Sequence, residues 1–242
     1  MKYATITNML KMDYSGTEAM NSISTNLSFV GMNSKKFIIT SCTENEGKSS
    51  LCMQIMVNLA KRGKRVVFVD ADLRKSVLFK RFGIQTEGEV VGLAHFLAGY
   101  QTLDDVIYQT DIPGAYIIPT GKDIANPLPL LDSDYFKNML DVLAKEFDIV
   151  LVDAPPIGLV IDAAVISKNC DGAVLVVEYG RRRKYEVMDS VKQIEQSGCK
   201  VIGCILNKVT IRTLSEKSYY KNHYYAYSHY GYGGYGYGHK KE

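Results

Sequence analysis

The chain has 242 residues, 46% of them hydrophobic, with 29 basic against 26 acidic side chains. This suits one α/β domain with a full core, and so even a charge balance leaves no footprint for nucleic acid and no general membrane-surface role. The N-terminus lacks the apolar run of a signal peptide, the greasiest stretch (residues 149–166) is broken by Asp153, two prolines and Asp162 and cannot span a membrane, and scattered cysteines without a CxxC pair read as reduced thiols of a cytosol.

Residues 1–16 show little periodicity and are expected to form a loose arm. From residue 17, Met20, Ile23, Leu27 and Val30 fall at helical spacing, predicting a helix over 17–31. "KFIIT" then reads as a buried strand, and "GKSSLCMQIMVNLAKRG" as a helix stopped by Gly63. "KRVVFVD" and "FDIVLVD" predict a second and a third strand, and "GAVLVVE" and "KVIGCIL" two more. Helical stretches fall near 132–146, 161–168 and 183–197. Between 83 and 125 the pattern weakens; "GEVVGLAHFLAG" reads as a helix and "AYIIPTG" as a strand. Apolar strands alternating with helices imply βαβ units: an α/β fold with a mostly parallel central sheet and helices on both faces. Beyond Val209 aliphatic residues give way to Gly and Tyr. The expected organisation is a domain over 1–212, with its arm and first helix at 1–31, and a flexible, disordered Tyr/Gly-rich tail over 213–242.

"FIITSCTENEGKSS" carries the sharpest signal: strand, loop, Gly-Lys-Ser and helix, the order a phosphate-binding loop requires. Thr43, Glu44, Asn45, Glu46, Gly47, Lys48, Ser49 and Ser50 are the candidate nucleotide contacts. Backbone N–H groups at the helix start would cradle phosphates, Lys48 would reach the β/γ oxygens, and the Ser49 hydroxyl would bind Mg²⁺. The usual first glycine is Cys42 here, so the turn needs another residue; Asn45 tolerates a left-handed backbone. "RVVFVDADLRKS" puts Asp70 and Asp72 at the end of one strand, and "FDIVLVDAPP" puts Asp153 at the end of another. Ligands of open α/β sheets bind outside those ends, so three carboxylates and the loop are expected to meet. An acid after "IVLV" suits the magnesium shell of a Walker B motif.

Other residues admit two readings. Arg74 and Lys75 fit phosphate or partner contacts, or surface ion pairs. The run Arg181, Arg182, Arg183 fits a solvated helix start, or recruitment of a partner's tail or a membrane surface. Asn207 and Lys208, just after the last strand, are candidate adenine contacts by their similarity to residues at that place in related ATPases. Cys42 fits an oxidisable loop thiol, or a buried packing residue.

Nine of the 17 tyrosines crowd the C-terminus: Tyr219, Tyr220, Tyr224, Tyr225, Tyr227, Tyr230, Tyr232, Tyr235 and Tyr237. Phosphoryl acceptors must reach a γ-phosphate, and the interleaved glycines supply that freedom. The segment also fits an adhesive low-complexity tail.

Taken together, "SCTENEGKSS", "VVFVDADLRKS", "DIVLVDAPP" and the tyrosine cluster resemble the bacterial protein-tyrosine kinases of capsular and exopolysaccharide synthesis. The first three correspond to that family's Walker A, A′ and B motifs. The resemblance implies a P-loop NTPase fold, ATP and Mg²⁺, and autophosphorylation of the terminal tyrosines. It implies that Lys48 and Ser49 hold phosphates and magnesium, and that Asp72 and Asp153 join the metal shell. Lys48, Asp70 and Asp72 become the catalytic set, with Asp70 orienting or deprotonating the phenol. A member without a membrane span resembles the split type. That type lies at the inner face of the cell membrane through a transmembrane chain-length adaptor, which recruits and activates it. A phosphotyrosine phosphatase and self-association in a homo-oligomer are further implied. The family's ExxRxxR helix motif, which builds a ring, departs here: Glu18 is kept, but Asn21 and Ser24 replace the arginines. "NPLPLL" (126–131) fits another family segment, with Pro129 where an acid is common.

Two rival functions fit parts of the chain. A partitioning or division-site ATPase switch carries a signature lysine five residues before the loop lysine, where Thr43 stands here. A non-enzymatic ATP-binding assembly module would use the tail as adhesive. Neither calls for a phosphate loop, three aspartates and nine tyrosines in one chain.

Overall fold

A computed structural model of the chain describes residues 2–30 and 34–209. The tyrosines from Tyr219 to Tyr237 lie outside the described residues. In chain order the elements are β1 (Lys2–Ile6), α1 (Tyr14–Phe29), β2 (Lys36–Ser41), α2 (Lys48–Lys61), β3 (Val66–Asp70), α3 (Leu78–Phe82), β4 (Ile84–Thr86), α4 (Leu93–Leu97), α5 (Leu103–Val106), β5 (Tyr108–Thr110), β6 (Ala115–Ile118), α6 (Leu128–Leu131), α7 (Asp134–Glu146), β7 (Ile149–Asp153), α8 (Asp162–Ser167), β8 (Gly172–Glu178), α9 (Lys184–Gln196) and β9 (Val201–Asn207).

The strands form one sheet in the order β4-β1-β5-β6-β3-β7-β2-β8-β9. From β6 to β9 all neighbours run parallel. The antiparallel pairs, β5 with β6 and β1 with β4, fall in the remaining part of the sheet. The apolar runs of the central strands make sense because both faces are covered. Phe37, Ile39, Phe68 and Leu151 point to one core, which the buried sides of α1 and α2 complete with Met20, Leu27, Met53 and Met56. Ile38, Val67, Val69, Val150 and Val152 point to the other, closed by α4, α7, α8 and α9 through Leu93, Phe136, Leu140, Ile166 and Ile194. The period-2 alternation of a strand thus divides one apolar run between two cores.

The expected loose arm is corrected: Lys2–Ile6 is a strand, parallel to β5 and antiparallel to β4. Ala4 and Ile6 are buried, while Tyr3 and Thr5 are exposed. Two buried residues are too short a signal to read locally, and the strand's pairing partners lie about 80 and 105 residues away in the register pairs Ala4–Thr86 and Lys2–Tyr108. The first helix starts earlier than expected because Asp13 caps it, its carboxylate accepting the Gly16 N–H at 2.7 Å. The helix read in residues 88–99 is only Leu93–Leu97. Gly92 precedes it in extended backbone, pressed so close to Pro119, Thr120 and Gly121 that a Cβ would collide with their backbone.

On α1 the residues that replace the family's arginines face inward. Asn21 donates to Glu18 at 3.1 Å and accepts from Asn58 of α2 at 2.9 Å. Ser24 is fully buried, and Arg62, the residue after α2, donates to Thr25 at 2.8 Å.

Candidate active site

The chain leaves β2, passes the loop and enters α2 at Lys48. Two residues there have left-handed backbone, Asn45 with φ 64° and Gly47 with φ 95°. Asn45 thus supplies the turn for which Cys42 offers no glycine. A Cβ on Gly47 would strike the Asn207 side chain, which donates to the Glu46 carbonyl at 2.8 Å. Cys42 is buried, as expected of a packing residue, and burial pushes its thiol pKa up.

Strand order brings the acids to this loop. β7 lies between β2 and β3, and Asp70 of β3 and Asp153 of β7 are register partners. The Lys48 ammonium lies 3.2 Å from Asp72 Oδ2 and 3.7 Å from Asp153 Oδ1. Burial works against that charge, but Asp153, Asp72 and Asp70 outweigh it and hold the Lys48 pKa above its ordinary value. Burial, then repulsion from Asp153, raises Asp70 to about 8, against the opposing pull of Ser76 and Lys48. Burial also raises Asp153, although Lys48 and the Ser49 hydroxyl restrain it. Asp70 Oδ2 accepts the Ser76 hydroxyl at 2.5 Å, and its Oδ1 accepts the Asp72 N–H at 3.3 Å.

A cavity of about 340 Å³ opens over the loop. Glu44, Asn45, Gly47, Lys48 and Ser49 line it, with Asp72 beside them. Asp70 and Asp153, each 2% exposed, lie outside this lining. So do Thr43, Glu46, Ser50 and Asn207, whose side chains brace the loop instead. Arg81 of α3 donates to Ser50 at 3.3 Å, Asn207 holds the Glu46 carbonyl, and Glu46 and Thr43 bind Arg182.

Arg74 lines the cavity, but its guanidinium clasps the buried Asp162 carboxylate at 2.6 and 2.9 Å. Lys75 stands 3.9 Å from Glu44, both exposed, a pair worth little. The reading of Arg181–Arg183 as a solvated start needs correction at one position: Arg182 makes a largely buried ion pair with Glu46 at 2.6 Å. Sequence reasoning missed Ser76, which bonds Asp70 outside the cavity lining, and, within it, Arg81 and an apolar wall of Val77, Pro155, Pro156, Leu159 and Val160. The prolines directly after Asp153 were a usable signal; Arg81 gave none, because α3 was not expected.

Among the described residues no three His, Cys, Asp or Glu side chains form a metal cage. Magnesium needs less, because it binds through one or two carboxylates and keeps waters and phosphate oxygens. Asp153 Oδ1 is buried without a hydrogen-bond partner, and its 3.7 Å approach to Lys48 is too long to count as one. An orphan carboxylate oxygen near the Ser49 hydroxyl fits a magnesium shell.

A lysine held among carboxylates, behind a helix-opening loop at the carboxyl edge of a parallel sheet, places the fold among the P-loop nucleotide-binding domains. Residues 39–202 match the AAA-domain family. Tyrosine-protein kinase CpsD of Streptococcus agalactiae is 42% identical over 192 residues, 79% of this chain and 83% of that protein. Tyrosine-protein kinase etk of Escherichia coli K12 is 34% identical over 207 residues, 85% of this chain and 28% of that longer protein. The crystal structure of the VpsO kinase domain superposes with a TM-score of 0.74 at 30% identity, covering 81% of this chain and 95% of the domain. The chain belongs to the bacterial tyrosine-protein kinases. Among the described residues no helix is long and apolar enough to cross a membrane.

Proposed function

We propose that this tyrosine kinase binds ATP over the loop at residues 43–50 and transfers the γ-phosphate to its own terminal tyrosines, Tyr219 to Tyr237. The observation that carries the reading is the position of Lys48, which lines the cavity with Asp72 and lies 3.7 Å from the buried Asp153 behind it. Lys48 moves to the β/γ oxygens when phosphates enter. Ser49, Asp72 and Asp153 hold magnesium, which screens phosphate charge when bound. A tyrosine oxygen attacks the γ-phosphorus, the bond to the β-phosphate oxygen breaks, and ADP leaves.

Asp70 orients the phenol and accepts its proton. Ser76 already shows how a hydroxyl donates to Asp70 Oδ2, and the phenol takes that donor place. In the ligand-free chain burial and Asp153 favour the protonated form of Asp70, so it accepts the phenol proton only as the carboxylate that neighbouring cations favour. The apolar wall at Pro155, Pro156 and Leu159 suits an aromatic ring.

The kinase domain spans residues 1–212 and the substrate segment 213–242. The setting is capsular or exopolysaccharide synthesis at the inner face of the cell membrane. A transmembrane chain-length adaptor recruits the kinase, copies of the chain phosphorylate in a homo-oligomer, and a phosphotyrosine phosphatase resets it. Replacing Asp70→Asn tests the site. Mg·ATP affinity should stay within about threefold while phosphotyrosine formation falls by about a hundredfold or more. Unchanged autophosphorylation in that variant would refute the assignment of Asp70.

A further inference from the structure

One carboxylate of the phosphate loop points away from the cavity. Glu46 is fully buried. Its Oε2 accepts the Cys42 N–H at 3.0 Å, and its Oε1 accepts the Thr43 hydroxyl at 3.3 Å and Arg182 Nε at 2.6 Å. Arg182 comes from the turn between β8 and α9. It also donates to the Thr43 hydroxyl and, at 3.5 Å, to Glu186, which itself accepts the Arg183 N–H at 2.8 Å.

An anion buried inside a loop that must hold a polyanion is unfavourable twice over. It loses hydration, and it repels the phosphates. Arg182 offsets both costs. Its guanidinium stays charged, and its planar fork reaches Glu46 and Thr43 together, which a lysine cannot do. Through Glu46 it also fixes the Cys42 amide, at the position where the loop lacks its usual glycine.

We infer that Arg182 and Glu46 are a positioning pair that sets the shape and charge of the phosphate loop for nucleotide binding, without touching the nucleotide. Neither side chain lines the cavity. The inference rests on the nucleotide-binding reading given above.

The test is calorimetric titration of the full chain with Mg·ADP, together with KM for ATP and kcat. Five proteins are compared: wild type, R182A, R182K, E46Q and R182A/E46Q. Saturable binding by the wild type keeps the nucleotide reading; its absence overturns that reading and the pair with it. R182A should weaken Mg·ADP binding by about tenfold or more, because the orphaned carboxylate stays in the loop. Its KM for ATP should rise while kcat stays within about threefold. R182K should recover little of the loss. The double variant R182A/E46Q should recover most of it, because the uncompensated charge is gone. A wild type that binds with an R182A variant within about twofold of it would overturn the pair alone. So would R182A and R182A/E46Q that both fold and bind equally poorly, since loss without charge rescue is a merely structural effect. If R182A does not fold, R182K carries the comparison, and wild-type affinity in R182K overturns the inference.

Discussion

Asp70 and Asp153 stand opposite each other as register partners at the carboxyl ends of two adjacent parallel strands. Each is 2% exposed, so the sheet forces two carboxylates together away from water. Burial favours the protonated form of both, repulsion from Asp153 adds to it at Asp70 and repulsion from Asp72 at Asp153, and Lys48 opposes them. The fold thereby holds two carboxylates together beside the phosphate-loop lysine, Lys48.

Stability should therefore depend on pH in a fixed direction. Asp70 is raised to about 8 in the folded chain, while an unfolded Asp titrates near 3.9. Between these values the folded state keeps a proton that the unfolded state has released, so stability falls as pH rises from about 4 to about 8. Asp153 is shifted the same way and adds to the slope. Thermal melts of the ligand-free protein at pH 5 and pH 8 should show a larger drop for wild type than for D70N. Parallel melting curves would contradict the coupling.

Magnesium and nucleotide should bind as one. In the described state the Lys48 ammonium already neutralises Asp72 and Asp153. Magnesium alone must displace that cation, whereas phosphates draw it away. Titration with MgCl₂ alone should give no saturable heat in the low millimolar range, and ADP should restore it. Removing the cation by K48M should lower the melting temperature as well, because it strands buried carboxylates, a loss of about 3–5 kcal/mol for a fully buried pair. Tight magnesium binding without nucleotide would contradict this account.

Gly47→Ala should cost nucleotide affinity more than stability elsewhere in the fold. A methyl there meets the Asn207 side chain in a backbone conformation, φ 95°, that L residues avoid. The expected loss in Mg·ADP affinity is about tenfold or more. Calorimetry of G47A, with its melting curve as control, reads both terms. Wild-type affinity in G47A would show that the loop does not depend on this turn.

Restoring arginines on α1 should damage the fold before it builds a ring. Ser24 is fully buried, so S24R must bury a charge or break the α1–α2 contact, while N21R loses hydrogen bonds to Glu18 and Asn58. Urea unfolding should rank S24R below N21R, with a loss above about 3 kcal/mol for S24R. The reverse order would mean that α1 can turn its other face outward.

The meeting of the loop and the acids was legible from the chain because it rests on local signals. A loop between a strand and a helix, and acids that follow apolar runs, need no distant partner to be recognised. Asn45 was readable for the same reason, since the missing glycine at Cys42 demanded a residue tolerant of left-handed backbone. What escaped the reading depends on long-range pairing. Lys2–Ile6 becomes a strand only through β4 and β5. Arg182 looked like a solvated helix start because its partner Glu46 lies 136 residues earlier. Ser76 and Arg81 reach the centre through a tight return after β3 whose course no periodicity announced. The antiparallel margin of the sheet was hidden likewise, since strands of three residues carry almost no alternation.

The most direct measurement is phosphosite mapping by mass spectrometry. The full chain is incubated with ATP and Mg²⁺, with a cytoplasmic adaptor fragment supplied, beside a K48M control. The account requires phosphate on tyrosines between Tyr219 and Tyr237 in the wild type and none in K48M. A wild-type chain that stays unphosphorylated with the adaptor present, or a K48M chain that is modified equally, would contradict it.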